Sequence, residues 1–177
     1  MLIANVATAK TLEKSGLEAL FRVHNGPSEQ KLSNLREFLA EIGLGLKGGD
    51  DPSPTDYQKL LASLKDRPDG QMIQTMMLRS LSQAVYQPDN DGHFGLNYTG
   101  YTHFTSPIRR YPDLMVHRAL RYLLRNGGGK APKCFRPVKG APDLPREKIY
   151  PYDMAALLGL GEHCSMAERR ADDASRD

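Results

Sequence analysis

His93-Phe94-Gly95-Leu96-Asn97-Tyr98-Thr99-Gly100-Tyr101-Thr102-His103-Phe104-Thr105-Ser106-Pro107-Ile108-Arg109-Arg110-Tyr111-Pro112-Asp113-Leu114-Met115-Val116-His117 holds the densest chemistry in this chain of 177 residues. Its first half is glycine-spaced, aromatic and rich in hydroxyls, which favours a strand-and-turn surface over a helix. The character changes at Ser106-Pro107, where a serine oxygen can accept from orphan N–H groups and proline fits a first helical position. Pro112 follows, and proline inside a helix removes a hydrogen bond and clashes one turn back. The spacing therefore predicts a short turn from Ser106 to Tyr111 and a helix from about Pro112 to Arg125. Arg109 and Arg110 stand at its entrance.

Along that helix Arg110, Asp113 or Leu114, His117 and Arg121 share one face, and Val116, Ala119, Leu120 and Leu123 share another. Asp113 and His117 are four apart, so the carboxylate is expected to hold the imidazole; it can also brace Arg110 three residues back. Arginine suits paired contacts to phosphate oxygens and stays charged at any working pH. Thr105 and Ser106 add hydroxyls, and the turn adds free N–H donors. Tyr98, Tyr101, His103, Phe104 and Tyr111 offer faces on which bases stack. Two readings are open from the residues alone. One is a site for a nucleic-acid strand, and the other is a buried junction whose arginines pair with acids elsewhere.

The stretch resembles the signature of the ribonuclease II and ribonuclease R family, whose shared catalytic module is the RNB domain. The match covers His93-Phe94-Gly95-Leu96, Tyr101, Phe104-Thr105-Ser106-Pro107-Ile108-Arg109-Arg110-Tyr111, Asp113 and His117 at the family's spacing. Asn5, Ala7, Phe21-Arg22-Val23-His24 and Glu168-Arg169-Arg170-Ala171 are similar to the same family. Thr102-His103-Phe104-Thr105 and Arg110-Tyr111-Pro112-Asp113 bring the chain nearest to its ribonuclease R branch. The resemblance implies a processive 3′ to 5′ exoribonuclease that hydrolyses single-stranded RNA to nucleoside monophosphates with magnesium. By motif position it makes Arg109 the catalytic arginine that contacts the phosphate near the scissile bond. Arg110, His103, Thr105, Ser106 and Tyr101 are then expected to hold RNA, with Asp113 and His117 bracing them from behind. The family's magnesium ligands are aspartates upstream of the signature, in a stretch this sequence does not contain, so no metal ligand is assigned here.

Outward from the signature the chain is ordinary: 40% hydrophobic, 25% charged, with a net charge of +3. That excess is too small to establish nucleic-acid binding by itself. No apolar run is long enough to span a bilayer and no basic-then-apolar leader is present, so a cytoplasmic location is expected. Cys134 and Cys164 are far apart and read as reduced thiols; His163 beside Cys164 lacks the four spaced ligands that zinc takes.

Leu17 to Val23 reads as a short strand running into a turn. Three helices should follow. Ser28 caps one with Leu32, Leu35, Leu39 and Ile42 inward, ending at Gly43. Ser53-Pro54-Thr55-Asp56 opens a second with Tyr57, Leu60, Leu61 and Leu64 inward. Asp69 or Gly70 starts the third, with Ile73, Met76, Met77, Leu81, Ala84 and Val85 as its stripe. Asp50-Asp51 and Asp172-Asp173 read as turn and helix-surface residues, not as magnesium ligands. Residues 126–150 form a Gly/Pro-rich basic connector. Pro151 or Asp153 opens a last helix, interrupted at Gly159 and Gly161 and capped again at Ser165-Met166-Ala167-Glu168.

The fold class expected is α+β, a mostly helical fragment of an RNB-type catalytic domain with a few strands. Residues 1–177 would be its C-terminal half, incomplete at both ends. The partner expected is single-stranded RNA, with no membrane and a monomeric parent enzyme. The alternative function is a non-catalytic RNA-binding fragment or helical scaffold, inactive alone without the metal-binding aspartates.

Overall fold

The computed structural model describes residues 1–126, 140, 142 and 145–175. Among them, helices dominate and the sheet has two strands, as the α+β expectation requires. The chain divides into two compact units. One comprises 1–23, 85–92 and 98–177, the other 24–84 and 93–97. The signature thus contributes to both.

In the larger unit, α1 (Leu2–Ser15) precedes β1 (Phe21–Val23), which pairs antiparallel with β2 (Val85–Gln87) in the register Phe21 to Gln87, Arg22 to Tyr86 and Val23 to Val85. The other edge of β1 is also used: the Arg22 N–H donates to the Tyr101 carbonyl at 2.8 Å. α5 (Tyr111–Asn126) begins one residue before the predicted start. Its Val116, Ala119 and Leu123 pack with Ala9 and Leu12 of α1 and with Phe21 and Val23. These side chains recur at helical spacing, which is why one stripe of α5 is core and its other face is charged.

α6 (Arg146–Ile149) and α7 (Met154–Ala174) complete this unit. Ile149 and Tyr150 are core residues, so the expected basic connector ends in a packed helical turn rather than a solvated loop. The connector's remaining lysines and arginine, Lys130 to Lys139, lie outside the described residues. Asp153 caps α7 by accepting from the Ala156 N–H at 2.8 Å. α7 then runs unbroken through Gly159, Gly161 and Ser165, contrary to the interruption and second cap expected there. Gly161 serves a close approach instead: a Cβ there would stand 2.5 Å from the Tyr86 carbonyl oxygen. Ser165 Oγ donates to the Gly161 carbonyl at 2.8 Å and accepts from the Tyr86 N–H at 2.9 Å, covering the free edge of β2.

In the smaller unit, α2 (Glu29–Glu41), α3 (Pro54–Ser63) and α4 (Gly70–Ser80) bury Leu35, Leu39, Tyr57, Leu60, Leu64, Ile73 and Met77. α2 follows Ser28 without a side-chain cap bond and ends at Gly43 as the sequence predicts, with Leu44 N–H returning to the Leu39 carbonyl at 2.8 Å. The capping box at Ser53 and Asp56 forms at the start of α3. Leu61 is exposed rather than inward. α4 stops at Ser80, and Val85 belongs to β2.

The expected strand at His93 is a single parallel bridge to His24, followed by one 3-10 turn, Phe94–Leu96. His24 organises it. Its carbonyl accepts from Phe94 N–H at 2.7 Å, its Nδ1 accepts from Gly95 N–H at 2.8 Å, and its Nε2 donates to the Ser82 carbonyl at 2.7 Å. Both ring nitrogens are therefore committed to backbone. A Cβ on Gly95 would come within 3.0 Å of Nδ1, which accounts for glycine at that place in the signature.

Candidate nucleic-acid interface

The turn ahead of α5 is held by Asp113 reaching back from the first turn of the helix. Asp113 is fully buried, and its Oδ1 accepts from the Ser106 N–H at 2.7 Å and from Arg110 Nη2 at 2.8 Å. The Ser106 carbonyl in turn accepts from the N–H groups of Arg109 and Arg110 at 3.3 and 3.1 Å. Ser106 thus enters the turn through its backbone, where its hydroxyl was expected as the cap. Thr105 Oγ1, Arg110 Nε and Asp113 Oδ2 are buried with no hydrogen-bond partner among the described residues.

The brace from Asp113 to Arg110 is present, but the one to His117 is not. His117 Nε2 instead meets the Phe104 carbonyl at 2.9 Å, and its ring stacks on Phe104 with centroids 4.4 Å apart and planes 12° apart. A longer-range bond to backbone therefore takes the imidazole that the four-residue spacing offered to the carboxylate.

The two arginines part company. Arg110 is largely covered, 22% exposed at its side chain, and neutralises Asp113. Arg109 is exposed, and among the described residues no carboxylate pairs with it. It borders a cavity of about 700 Å³ between the entrance of α5 and one face of α7, with Arg110, Tyr111, Tyr86 and Glu168 also in its wall. A cation at such an opening, with hydroxyls beside it, suits an anionic strand.

The remaining residues divide by burial. Tyr101 is buried, its hydroxyl accepts from Asn5 Nδ2 at 2.8 Å, and its ring stacks on Tyr98 at 6.2 Å, so its role is in the frame. Asn5 Oδ1 also accepts from the Phe104 N–H at 3.2 Å, tying α1 to the signature. His103, half-buried, meets the Tyr86 hydroxyl through Nδ1 at 2.8 Å.

Sequence reasoning passed over Tyr86. Its ring lies under the Arg22 guanidinium, 4.6 Å from ring centroid to Cζ, and Arg22 pairs with Glu168 at 2.6 Å. Burial raises the Tyr86 phenol to about 12. Burial, with Glu168 nearby, also pushes the Cys164 thiol above its ordinary range. The only sequence signal for this network was the presence of Arg22 and Glu168 in two of the family-like segments, 146 positions apart.

The described residues do not fit magnesium, which takes several oxygen ligands. No group of three or more His, Cys, Asp or Glu side chains among them is placed to hold a metal, and the buried Asp113 carboxylate already faces a guanidinium. Asp50 pairs with Arg36 at 3.7 Å. No helix among the described residues is long and apolar enough to cross a membrane.

Comparison with known proteins returns the same assignment over most of the chain. Residues 1–126 match the RNB domain. Ribonuclease R of Escherichia coli (strain K12) and ribonuclease R of Vibrio cholerae serotype O1 are each 50% identical over all 177 residues, which span 20% of the length of those proteins. Among solved structures, Mycoplasma genitalium RNase R in complex with double-stranded RNA superposes with a TM-score of 0.81 at 28% identity, covering 99% of this chain and 29% of that one. The same protein is known with ribose-methylated single-stranded RNA. Yeast Ssd1, a pseudonuclease, superposes with a TM-score of 0.69 at 26% identity over 92% of this chain and 18% of that one. The signature read from the sequence, the turn it builds ahead of α5 and the span of the match agree, and the chain belongs to the RNB domain family.

Proposed function

We propose that the chain is the phosphate-contacting part, the C-terminal half, of the catalytic domain of a 3′ to 5′ exoribonuclease acting on single-stranded RNA. The observation that carries this is the contrast between the two signature arginines. Arg110 is neutralised by Asp113, whereas Arg109 keeps its charge at the mouth of the cavity. In hydrolysis of a phosphodiester, charge grows on the phosphoryl oxygens, and a fixed guanidinium aimed at them lowers the barrier. Arg110, Asp113 and the Ser106 backbone hold the turn that presents Arg109. Magnesium is expected as the cofactor, with its ligands outside these 177 residues, and the cytoplasm as the location.

Arg109→Ala in a complete enzyme carrying this segment is expected to lower kcat by on the order of 10²–10³ while RNA affinity stays near wild type. An unchanged kcat would overturn the assignment. The 177-residue chain alone is expected to release no monophosphates from single-stranded RNA in the presence of magnesium.

A second reading is RNA binding without hydrolysis. The likeness to a pseudonuclease at a TM-score of 0.69 supports it, since the same framework exists in a protein so described. Salt-sensitive RNA binding with no cleavage, even by the complete protein, would favour it.

A further inference from the structure

We propose that Tyr111 is a base-stacking residue, the flat surface on which one nucleobase of the bound strand rests while Arg109 meets its phosphate. This rests on the RNA reading above and extends it from the backbone of the strand to its bases. Of the other rings in the signature, Tyr101 is buried, Phe104 is stacked on His117 and Tyr98 is stacked on Tyr101. His103 stands edge-on to Tyr86 and Tyr101, half-buried. Tyr111 is 44% exposed and lies in the wall of the cavity that Arg109 borders. Ile108 and Leu114, three residues to either side of it, are exposed as well. Exposed apolar side chains beside a guanidinium suit a ligand that is anionic along its backbone and flat and apolar on the faces of its bases.

The ring is also held in place. Its hydroxyl lies 3.0 Å from that of Tyr152, whose oxygen accepts from Arg118 Nη1 at 2.9 Å. Arg118 is tied in turn: its Nε donates to the Ile149 carbonyl at 2.9 Å, and its Cζ stands 5.6 Å from the centroid of the Tyr152 ring. The buried ring of Tyr150 meets that of Tyr152 edge-on at 5.0 Å. Tyr111 is thus fixed at its backbone by the first turn of α5 and at its hydroxyl by the residues that follow α6. A ring fixed before the ligand arrives loses little freedom on binding, so more of the stacking energy appears as affinity.

The test is equilibrium binding of a single-stranded oligoribonucleotide to a complete enzyme carrying this segment, with divalent metal chelated so that the strand stays intact. Tyr111 belongs to none of the hydrophobic cores, so its variants are expected to fold as the wild type does. Tyr111→Ala is expected to weaken binding by roughly fivefold to a hundredfold, the loss of one stack between base and ring. Tyr111→Phe keeps the ring and is expected to weaken it by no more than about threefold, the loss of one exposed hydrogen bond. The strand is then varied by replacing one base at a time with an abasic ribose, sugar and phosphates intact. At one position the abasic strand is expected to bind more weakly than its parent to the wild type and to Tyr111→Phe, and equally well to Tyr111→Ala. An unaltered affinity in Tyr111→Ala, a Tyr111→Phe as weak as Tyr111→Ala, or the same abasic losses in the wild type and Tyr111→Ala at every position would overturn the proposal. The RNA reading of the interface fails separately, through an unchanged kcat in Arg109→Ala, whatever the Tyr111 variants do.

Discussion

One oxygen of Asp113 serves both the Ser106 amide and the Arg110 guanidinium, which makes the two ends of the signature turn depend on a single buried charge. Removing the guanidinium leaves that charge without a counterion in the interior. Arg110→Ala is therefore expected to destabilise the chain by about 3–5 kcal/mol, the usual cost of breaking a buried pair from one side. Asp113→Asn keeps an oxygen for Ser106, and the guanidinium it leaves without a counterion is 22% exposed and can reach water, so its cost is expected to be smaller, about 1–2 kcal/mol. Chemical denaturation of both variants checks this; equal losses would mean that the unequal burial of the two charges does not decide the cost. Arg110 is in this respect unlike its neighbour Arg109, whose loss should cost activity and little stability. The chain's spacing already placed both arginines and the aspartate at the helix entrance. It did not separate the roles, because that depends on which guanidinium the fold covers.

At the scale of the element, α7 is where local reading and structure disagree most. Two glycines and a Ser-x-x-Glu pattern are stop-and-start signals for a helix in isolation, yet the helix runs from Met154 to Ala174 without a break. Packing against β2 outweighs the propensity penalty of the glycines, and the two glycines do different work. Gly161 lies against the Tyr86 carbonyl, whereas a Cβ at Gly159 would meet nothing within 4 Å. Gly161→Ala is therefore expected to cost about 1–3 kcal/mol by forcing helix and strand apart. Gly159→Ala should be neutral or stabilise by up to about 1 kcal/mol, since alanine is the better helix former. Thermal or denaturant unfolding separates the two, and similar effects would contradict the close-approach argument. The caps at Ser53 and Asp153, by contrast, were readable directly, because each is made within four residues.

Across the whole molecule, apolar residues gather into distinct cores: α1, β1 and α5 around one, and α2, α3 and α4 around another. The first also holds the phenol of Tyr150, whose hydroxyl donates to the Glu18 carbonyl at 2.9 Å. Burial raises the pKa of Tyr150 as it does that of Tyr86. A phenol with a higher pKa folded than unfolded ionises first in the unfolded chain, where the ordinary value is 10.0. The unfolded state then binds fewer protons, and stability falls as pH rises from about 10 toward 12. Denaturation measured across that range should show this loss, with a shallower slope in Tyr86→Phe; a slope unaffected by the substitution would mean that Tyr86 ionises alike in both states.

What the sequence by itself determined is local or periodic: the turn before α5, helices α2 to α5 and most of their buried stripes, two of the caps, and the family to which the signature belongs. These are legible because each depends on residues within one or two helical turns, or on a motif carried whole. What only the tertiary structure decided is who meets whom at long range. It paired Arg22 with Glu168 across Tyr86, turned His117 from Asp113 to the Phe104 carbonyl, buried Tyr101 and made Gly161 a contact point rather than a break. Spacing lists the partners a side chain can reach along its own element. Burial selects among them, because only a group withdrawn from water must find its partner in the fold.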